Sequence, residues 1–142
     1  MESDSLKVGV VGVGHLGQHH VKHYAALKCA DLVGIYDTDR KKGQTISKQH
    51  NITAFKSMDT FLENINAVSI VTPTCDHAAI AETCIVAGKH IFIEKPITQT
   101  LDEADHILAL AEKHGVLVQV GHIERLNPAL LALKPYRVKP KF

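Results

Sequence analysis

The sequence is short of cysteine, of net charge and of long apolar runs. Its three cysteines, Cys29, Cys75 and Cys84, are an odd number without metal-ligand spacing, which fits a reducing, cytoplasmic setting. Sixteen Lys and Arg against fifteen Asp and Glu leave a net charge of +1, which argues against a nucleic-acid grip built on bulk charge. No apolar run reaches the length of a membrane span, so no membrane partner is expected. Met1 is followed by Glu2-Ser3-Asp4-Ser5, which is no secretion signal. There is no low-complexity tract, and no repeat beyond an alternation of strands and helices. What remains is 142 residues, 45% of them hydrophobic, enough to bury the core of one domain.

The chain is organised around Val8-Gly9-Val10-Val11-Gly12-Val13-Gly14-His15-Leu16-Gly17. Gly12, Gly14 and Gly17 form a G-x-G-x-x-G pattern between an apolar run and a helix, the arrangement of a dinucleotide-binding turn. Gly12 allows a sharp turn off the strand. Gly14 removes the Cβ that would block a pyrophosphate, and Gly17 lets the helix lie close on the sheet. The free N–H groups of that helix then face the phosphates, with Val13, His15 and Leu16 beside them. A glycine-rich turn of no function has the same pattern, so context has to decide.

The context is Ala30 to Asp37, which reads as a second strand ending in an acid. Asp37 stands where a carboxylate accepts hydrogen bonds from both ribose hydroxyls, and its charge opposes a 2'-phosphate. That favours NAD, with NADP less expected. A surface Asp opening a loop is the bland alternative, and Arg40 or Lys41 would suit a phosphate if the loop bent that way.

Read in order, Leu6 to Val11 is the first strand and His15 to Leu27 a helix with Leu16, Val21, Tyr24 and Leu27 inward. Asp39 to His50 suits a helix weakened by Gly43, Ile52 to Phe55 a short strand, and Ser57 to Asn64 a short capped helix. Ala67 to Thr72 is a fourth strand stopped by Pro73, and Asp76 to Ala87 a helix stopped by Gly88. Lys89 to Ile93 is a fifth strand. Thr100 and Glu103 form a capping box for a helix that ends at Gly115, with Leu101, Ala104, Leu108 and Ala111 on one face. Val116 to Val120 is a sixth strand. Asn127-Pro128 starts a short helix through Leu133, and a basic, proline-broken tail runs to Phe142. Six strands alternating with helices predict an α/β, doubly wound, mostly parallel sheet in the order 3-2-1-4-5-6. The glycine turn, Asp37, Thr72-Pro73, Glu94-Lys95-Pro96 and Gly121-His122 then meet at one edge.

Lys95 is the first candidate for chemistry. At a strand end over a nicotinamide it would hydrogen-bond a substrate hydroxyl, stabilise the alkoxide or relay its proton. A surface lysine, or an ion pair with Glu94, is the alternative. Glu94 orients Lys95, packs behind the turn or caps a helix. His77, five after Thr72, faces a ligand or caps its helix. His122 can act as acid or base, and Arg125 is a fork suited to carboxylate or phosphate; a hinge segment with an Arg125–Glu124 surface pair is the alternative. His15, His19, His20 and His23 share one helix, but no Cys or acid lies at fitting spacing, so no metal site is expected.

These residues resemble a known family. From Leu6 to Leu133 the chain is similar to the N-terminal half of the Gfo/Idh/MocA-type oxidoreductases, the family of glucose-fructose oxidoreductase and inositol dehydrogenase. The resemblance rests on the Gly12/Gly14/Gly17 turn, Asp37, Thr72-Pro73 with His77, and above all Glu94-Lys95-Pro96 after a buried strand. It implies a Rossmann-type domain over residues 1–122, and a linker helix and the start of a second domain over 123–142, with the body of that domain absent from this chain. It implies a nicotinamide cofactor held by Gly12, Val13, Gly14, His15, Leu16, Gly17, Asp37, Thr72, Pro73, His77, Glu94, Lys95 and His122. It also implies a sugar, cyclitol or related polyol as substrate. Lys95 becomes catalytic or substrate-orienting, with Arg125 beside the substrate and a cis Lys95–Pro96 bond. Gly121 to Ala129 is most similar to members acting on nucleotide-activated amino sugars, such as UDP-N-acetylglucosamine dehydrogenases. The absent domain would cover the nicotinamide and form a homo-oligomer interface, so this chain by itself is expected to be inactive. The rival readings are a non-catalytic, NAD-holding redox sensor and a Rossmann-like binder of another nucleotide.

Overall fold

A computed structural model of the protein describes residues 5–136. The strands are β1 (Leu6–Val11), β2 (Ala30–Tyr36), β3 (Thr53–Ala54), β4 (Ala67–Ile70), β5 (His90–Ile93) and β6 (Val118–Val120). Between them run α1 (His15–Ala26), α2 (Arg40–His50), α3 (Met58–Glu63), α4 (Thr74–Val86) and α5 (Leu101–His114). A 3-10 turn over Ile123–Leu126 and the short helix α6 (Pro128–Leu133) follow β6. The six strands lie in the order β3-β2-β1-β4-β5-β6 with every pairing parallel. The strand order expected from the sequence is the one observed.

The sheet is covered on both faces, which is why its central strands read as continuous apolar runs. Neighbouring side chains of β1 show it. Val10 joins Val21, Ile35 and Ile46 in the core under α1 and α2. Val11 points the other way, into the core of Phe61, Ile70, Ile85 and Ile107 under α3, α4 and α5. β4 alternates likewise, so Ser69, fully buried between Val68 and Ile70, faces α1.

The helix ends follow local chemistry. Asp39 and Ser57 accept N–H bonds at the starts of α2 and α3, and Thr100 and Glu103 make the full capping box at α5. Gly43, the weak point expected of α2, is buried and lies near Ile35 and Asp37, so α2 packs closely on the sheet there. Several boundaries differ from the sequence reading: β3 is only Thr53–Ala54, β5 begins at His90 and β6 at Val118. α1 ends at Ala26, β4 ends at Ile70, and α4 begins at Thr74 with Pro73 as its N-cap.

Two helix faces also differ. Leu16 and Leu27 are about half exposed, and the inward side of α1 is Gly17 and Val21. Leu101 and Leu108 are likewise exposed, and α5 buries Ile107 and Ala111. In α1 the rotation follows from Gly17, whose backbone has to face β1. The tail expected to follow Leu133 continues as a 3-10 turn over Lys134–Tyr136, and residues 137–142 lie outside the described residues.

Candidate functional site

The order of the strands reverses between β1 and β4, and ligands of such sheets bind at the carboxyl ends of the strands beside that point. The glycine turn stands there. Gly12 has φ +84°, a left-handed conformation, and a Cβ on it would lie 2.7 Å from the carbonyl oxygen of Val71. A Cβ on Gly17 would collide with the carbonyl oxygen of Gly12. Gly14 is the opposite case: it is the N-cap of α1, and a Cβ there would meet nothing within 4 Å. The turn is closed against protein at Gly12 and Gly17 and open at Gly14. No side chain caps the first N–H groups of α1, which leaves them for an anion.

Asp37 stands just past β2, half-buried. Its Oδ2 accepts the backbone N–H of Val13 at 2.8 Å, and its Oδ1 that of Asp39 at 2.7 Å. Val13 contributes only its backbone, because its side chain is fully in the core. Gly12, Gly14, Asp37, Thr72 and Pro73 line a cleft of about 620 Å³, together with Cys75. The Thr72 Oγ1 is buried without a hydrogen-bond partner. Open space over Gly14, uncapped N–H groups, an orphaned hydroxyl and a carboxylate fit the pyrophosphate and ribose of a dinucleotide. Arg40 belongs to a small neighbouring pocket of about 70 Å³ with Asp37 and Lys56.

A second cleft, of about 560 Å³, is lined by Leu16, Glu94, Lys95, His122, Arg125 and Leu130 among others. Gly14 borders the first cleft and Leu16 the second, so the start of α1 stands between them. This position explains why Leu16 is not in the core. Lys95 is exposed at the end of β5, and its peptide bond to Pro96 is cis. His15 is exposed beside the turn, its ring edge-on to that of His19 at 5.4 Å. Asn127 caps α6 by accepting the N–H of Ala129 at 2.9 Å and donates to Glu124.

Two histidines hold the Glu94–Ile97 segment from behind. The ring of His77 is 1% exposed and cannot border the cleft, which corrects the expectation of a cofactor contact. Its Nε2 is 3.0 Å from the carbonyl oxygen of Thr72, and its Nδ1 is 3.0 Å from that of Pro96. A neutral ring donates to one of these carbonyls only, so His77 packs between the loop after β4 and the chain after Lys95 and is bonded to one of them. The other histidine is His20, weighed from the sequence only as one of four histidines on a helix and not as a site residue. Its Nε2 is 3.2 Å from Glu94 Oε1, and its Nδ1 is 2.8 Å from Ser69 Oγ. Burial pulls the His20 pKa down, against the opposing pull of Glu94. A serine inside the apolar run Val68-Ser69-Ile70 was the signal that something polar on the facing helix needed a partner. Lys95 and Glu94 make no side-chain ion pair in the described residues; Glu94 Oε2 instead accepts the backbone N–H of Lys95 at 3.2 Å.

This geometry has known counterparts. The chain is 40% identical over 129 residues to UDP-N-acetylglucosamine 3-dehydrogenase of Acidithiobacillus ferrooxidans, covering 91% of this chain and 41% of that protein. It is 33% identical to scyllo-inositol 2-dehydrogenase (NAD(+)) of Bacillus subtilis, covering 87% of this chain and 37% of that one. The crystal structure of the Acidithiobacillus enzyme superposes with a TM-score of 0.89 at 38% identity, over 94% of this chain and 42% of that one. Scyllo-inositol dehydrogenase from Lactobacillus casei, with bound NAD(H) and scyllo-inositol, superposes with a TM-score of 0.86 at 27% identity, over 93% and 40% of the two chains. The chain thus spans about two-fifths of the length of these relatives. The profile described as an oxidoreductase family with an NAD-binding Rossmann fold matches residues 6–122, from the first residue of β1 to the His122 of the second cleft. The chain belongs to the Gfo/Idh/MocA oxidoreductase family, and these residues are its NAD-binding Rossmann domain.

Proposed function

We propose that the protein carrying this domain is an NAD-dependent dehydrogenase. It moves a hydride between the nicotinamide and a hydroxyl-bearing carbon of a sugar-like substrate, with a UDP-linked N-acetylamino sugar as the first choice. The observation that carries the reading is the pair of clefts on either side of the start of α1, one holding Asp37 and the other Lys95. A dinucleotide laid over the glycine turn reaches both. Asp37 takes the ribose hydroxyls and opposes a 2'-phosphate, which favours NAD over NADP. Gly12, Gly14 and Gly17 shape the floor under the pyrophosphate, and Thr72 offers its unpartnered hydroxyl.

When bound, the nicotinamide supplies the hydride acceptor. Lys95 does the proton work: its Nζ, as the amine, accepts the proton of the reacting hydroxyl and relays one to solvent, and the ammonium so formed stabilises the oxygen. His122 borders the same cleft. The guanidinium of Arg125 pairs with the substrate's phosphate, a bidentate match a lysine would not make. Ile123 and Leu130 line this cleft and are exposed. The remainder of the protein, which the relatives possess, covers them, closes the substrate side and forms the subunit contacts.

The test uses the complete protein. NAD and NADP are titrated calorimetrically, and NADH formation is followed with UDP-N-acetylglucosamine and with scyllo-inositol. Lys95→Ala is expected to lower kcat by roughly 10²- to 10⁴-fold while NAD affinity stays close to that of the parent. NAD binding without turnover of either substrate would favour a redox sensor instead. Near-normal kcat in Lys95→Ala would remove the proton-handling role.

A further inference from the structure

We infer that His20 is a positioning residue for Lys95, acting through the carboxylate of Glu94, an inference that rests on the reading of Lys95 given above.

Lys95 is exposed and its side chain is long, so its aim depends on how its backbone is held. One restraint is the bond from its N–H to Glu94 Oε2 at 3.2 Å. That bond lasts only while Glu94 keeps its orientation. The Glu94 side chain is 13% exposed, and its other oxygen is 3.2 Å from His20 Nε2. Glu94 lies close against Gly121, where a Cβ would be 3.0 Å from Oε1. His20 is itself fixed. Its Nδ1 meets the hydroxyl of Ser69, which is fully buried in β4, and its ring leans on Phe92 at 5.7 Å.

The donors and acceptors run one way. A carboxylate only accepts, so His20 Nε2 carries the hydrogen. In the neutral ring Nδ1 then accepts from the Ser69 hydroxyl. Glu94 thus sets the tautomer, Ser69 steadies the ring from its other nitrogen, His20 fills one oxygen of Glu94, and the backbone of Lys95 fills the other. Removing the His20 donor leaves a largely buried carboxylate oxygen unpaired, which is costly. Glu94 can relieve that cost by rotating toward the second cleft and the Lys95 ammonium. The rotation breaks the Lys95 N–H bond and pairs off the charge that the substrate oxygen needs.

The test compares two substitutions in the complete protein. His20→Gln places an amide N–H close to the Nε2 position and keeps a donor for Glu94. His20→Asn is too short to reach it. Exchange protection of the Lys95 amide is read by NMR, which needs no substrate. Turnover of UDP-N-acetylglucosamine and NAD affinity are read alongside, with Lys95→Ala as control. In His20→Asn, Lys95 amide protection and kcat should each fall by about tenfold or more, with NAD affinity within about threefold. His20→Gln should recover most of both. Should His20→Asn not fold, Ser69→Ala keeps the ring, removes the partner that steadies Nδ1, and should lower Lys95 protection part-way. Unchanged Lys95 protection in His20→Asn, or in Ser69→Ala if that variant has to serve, overturns the inference. So does a loss in His20→Gln equal to that in His20→Asn. If Lys95→Ala turns over normally, the catalytic reading of Lys95 fails, while the amide measurement still judges the His20–Glu94 link.

Discussion

The Oδ2 of Asp37 lies 2.8 Å from the backbone nitrogen of Val13, so the acid after β2 is tied to the glycine turn after β1. The same carboxylate holds Asp39, the N-cap of α2, through Oδ1. One side chain therefore shapes the cleft as well as facing it. Asp37→Ala should then do two things. Loss of bonds to a charged acceptor should cost about 1.5–3 kcal/mol of stability. The preference for NAD over NADP should also narrow, because the charge opposing a 2'-phosphate is gone. Chemical denaturation and calorimetric titration of both cofactors check the two halves. A variant as stable as the parent would deny Asp37 its part in holding the turn.

The glycine turn separates stability from binding. A methyl on Gly17 meets the carbonyl of Gly12, whereas one on Gly14 meets no protein atom within 4 Å. Gly14 has φ −63° and ψ −160°, in the extended region open to alanine. Gly14→Ala should leave stability within about 0.5 kcal/mol of the parent. It should still weaken NAD binding, because the methyl enters the space over the helix N-terminus. Gly17→Ala should destabilise the fold outright. Thermal melts and NAD titrations of the pair decide it: equal stability losses, or full NAD affinity in Gly14→Ala, would be the wrong result.

The sheet was legible because its signals are local and redundant. Val8 to Val11, Val68 to Val71 and His90 to Ile93 are short apolar runs, each followed by turn chemistry, and six such runs leave few ways to connect them. The burial phase of the helices was less legible. Leu16 and Leu101 fit an apolar stripe by spacing, yet Gly17 and Ile107 face the sheet. Periodicity reports that a stripe exists; a close backbone contact such as Gly17 on Gly12 decides its angle. The histidines were least legible. His77, His15 and His20 are the same residue type near the same edge. One is a buried brace, one stands in solvent and one holds a carboxylate, and only the fold separates them.

The cysteines give a chemical map of the first cleft. Cys75 is exposed and lines it, Cys29 is exposed elsewhere, and Cys84 is buried with its pKa pushed up to about 12 by desolvation. Under native conditions a maleimide should modify Cys29 and Cys75 and leave Cys84 untouched. Saturating NAD should slow Cys75 and leave Cys29 unaffected. Mass spectrometry of peptides over a time course measures all three sites. Equal protection of Cys29 and Cys75 would point to a global effect and not to occupancy of this cleft.

The His20 ring makes stability depend on pH in a stated direction. Burial, the largest influence, lowers its pKa from 6.5 in the folded protein, and His23 and His19 add to the fall. Glu94 pulls the other way and does not overcome it. The unfolded chain therefore takes the proton more readily than the folded one. Above about pH 6.5 the ring is neutral in both states and its contribution is complete. As pH falls below that value, the unfolded state is protonated first and stability declines, until the pH passes below the folded pKa. The measurement is a difference between the parent and His20→Gln, which isolates this one ring. The melting temperature of the parent should fall more steeply than that of His20→Gln between about pH 7.5 and pH 5. Parallel curves would show that His20 carries no such linkage. A parent curve that gained stability toward acid relative to the variant would mean that the Glu94 attraction, not burial, governs the ring.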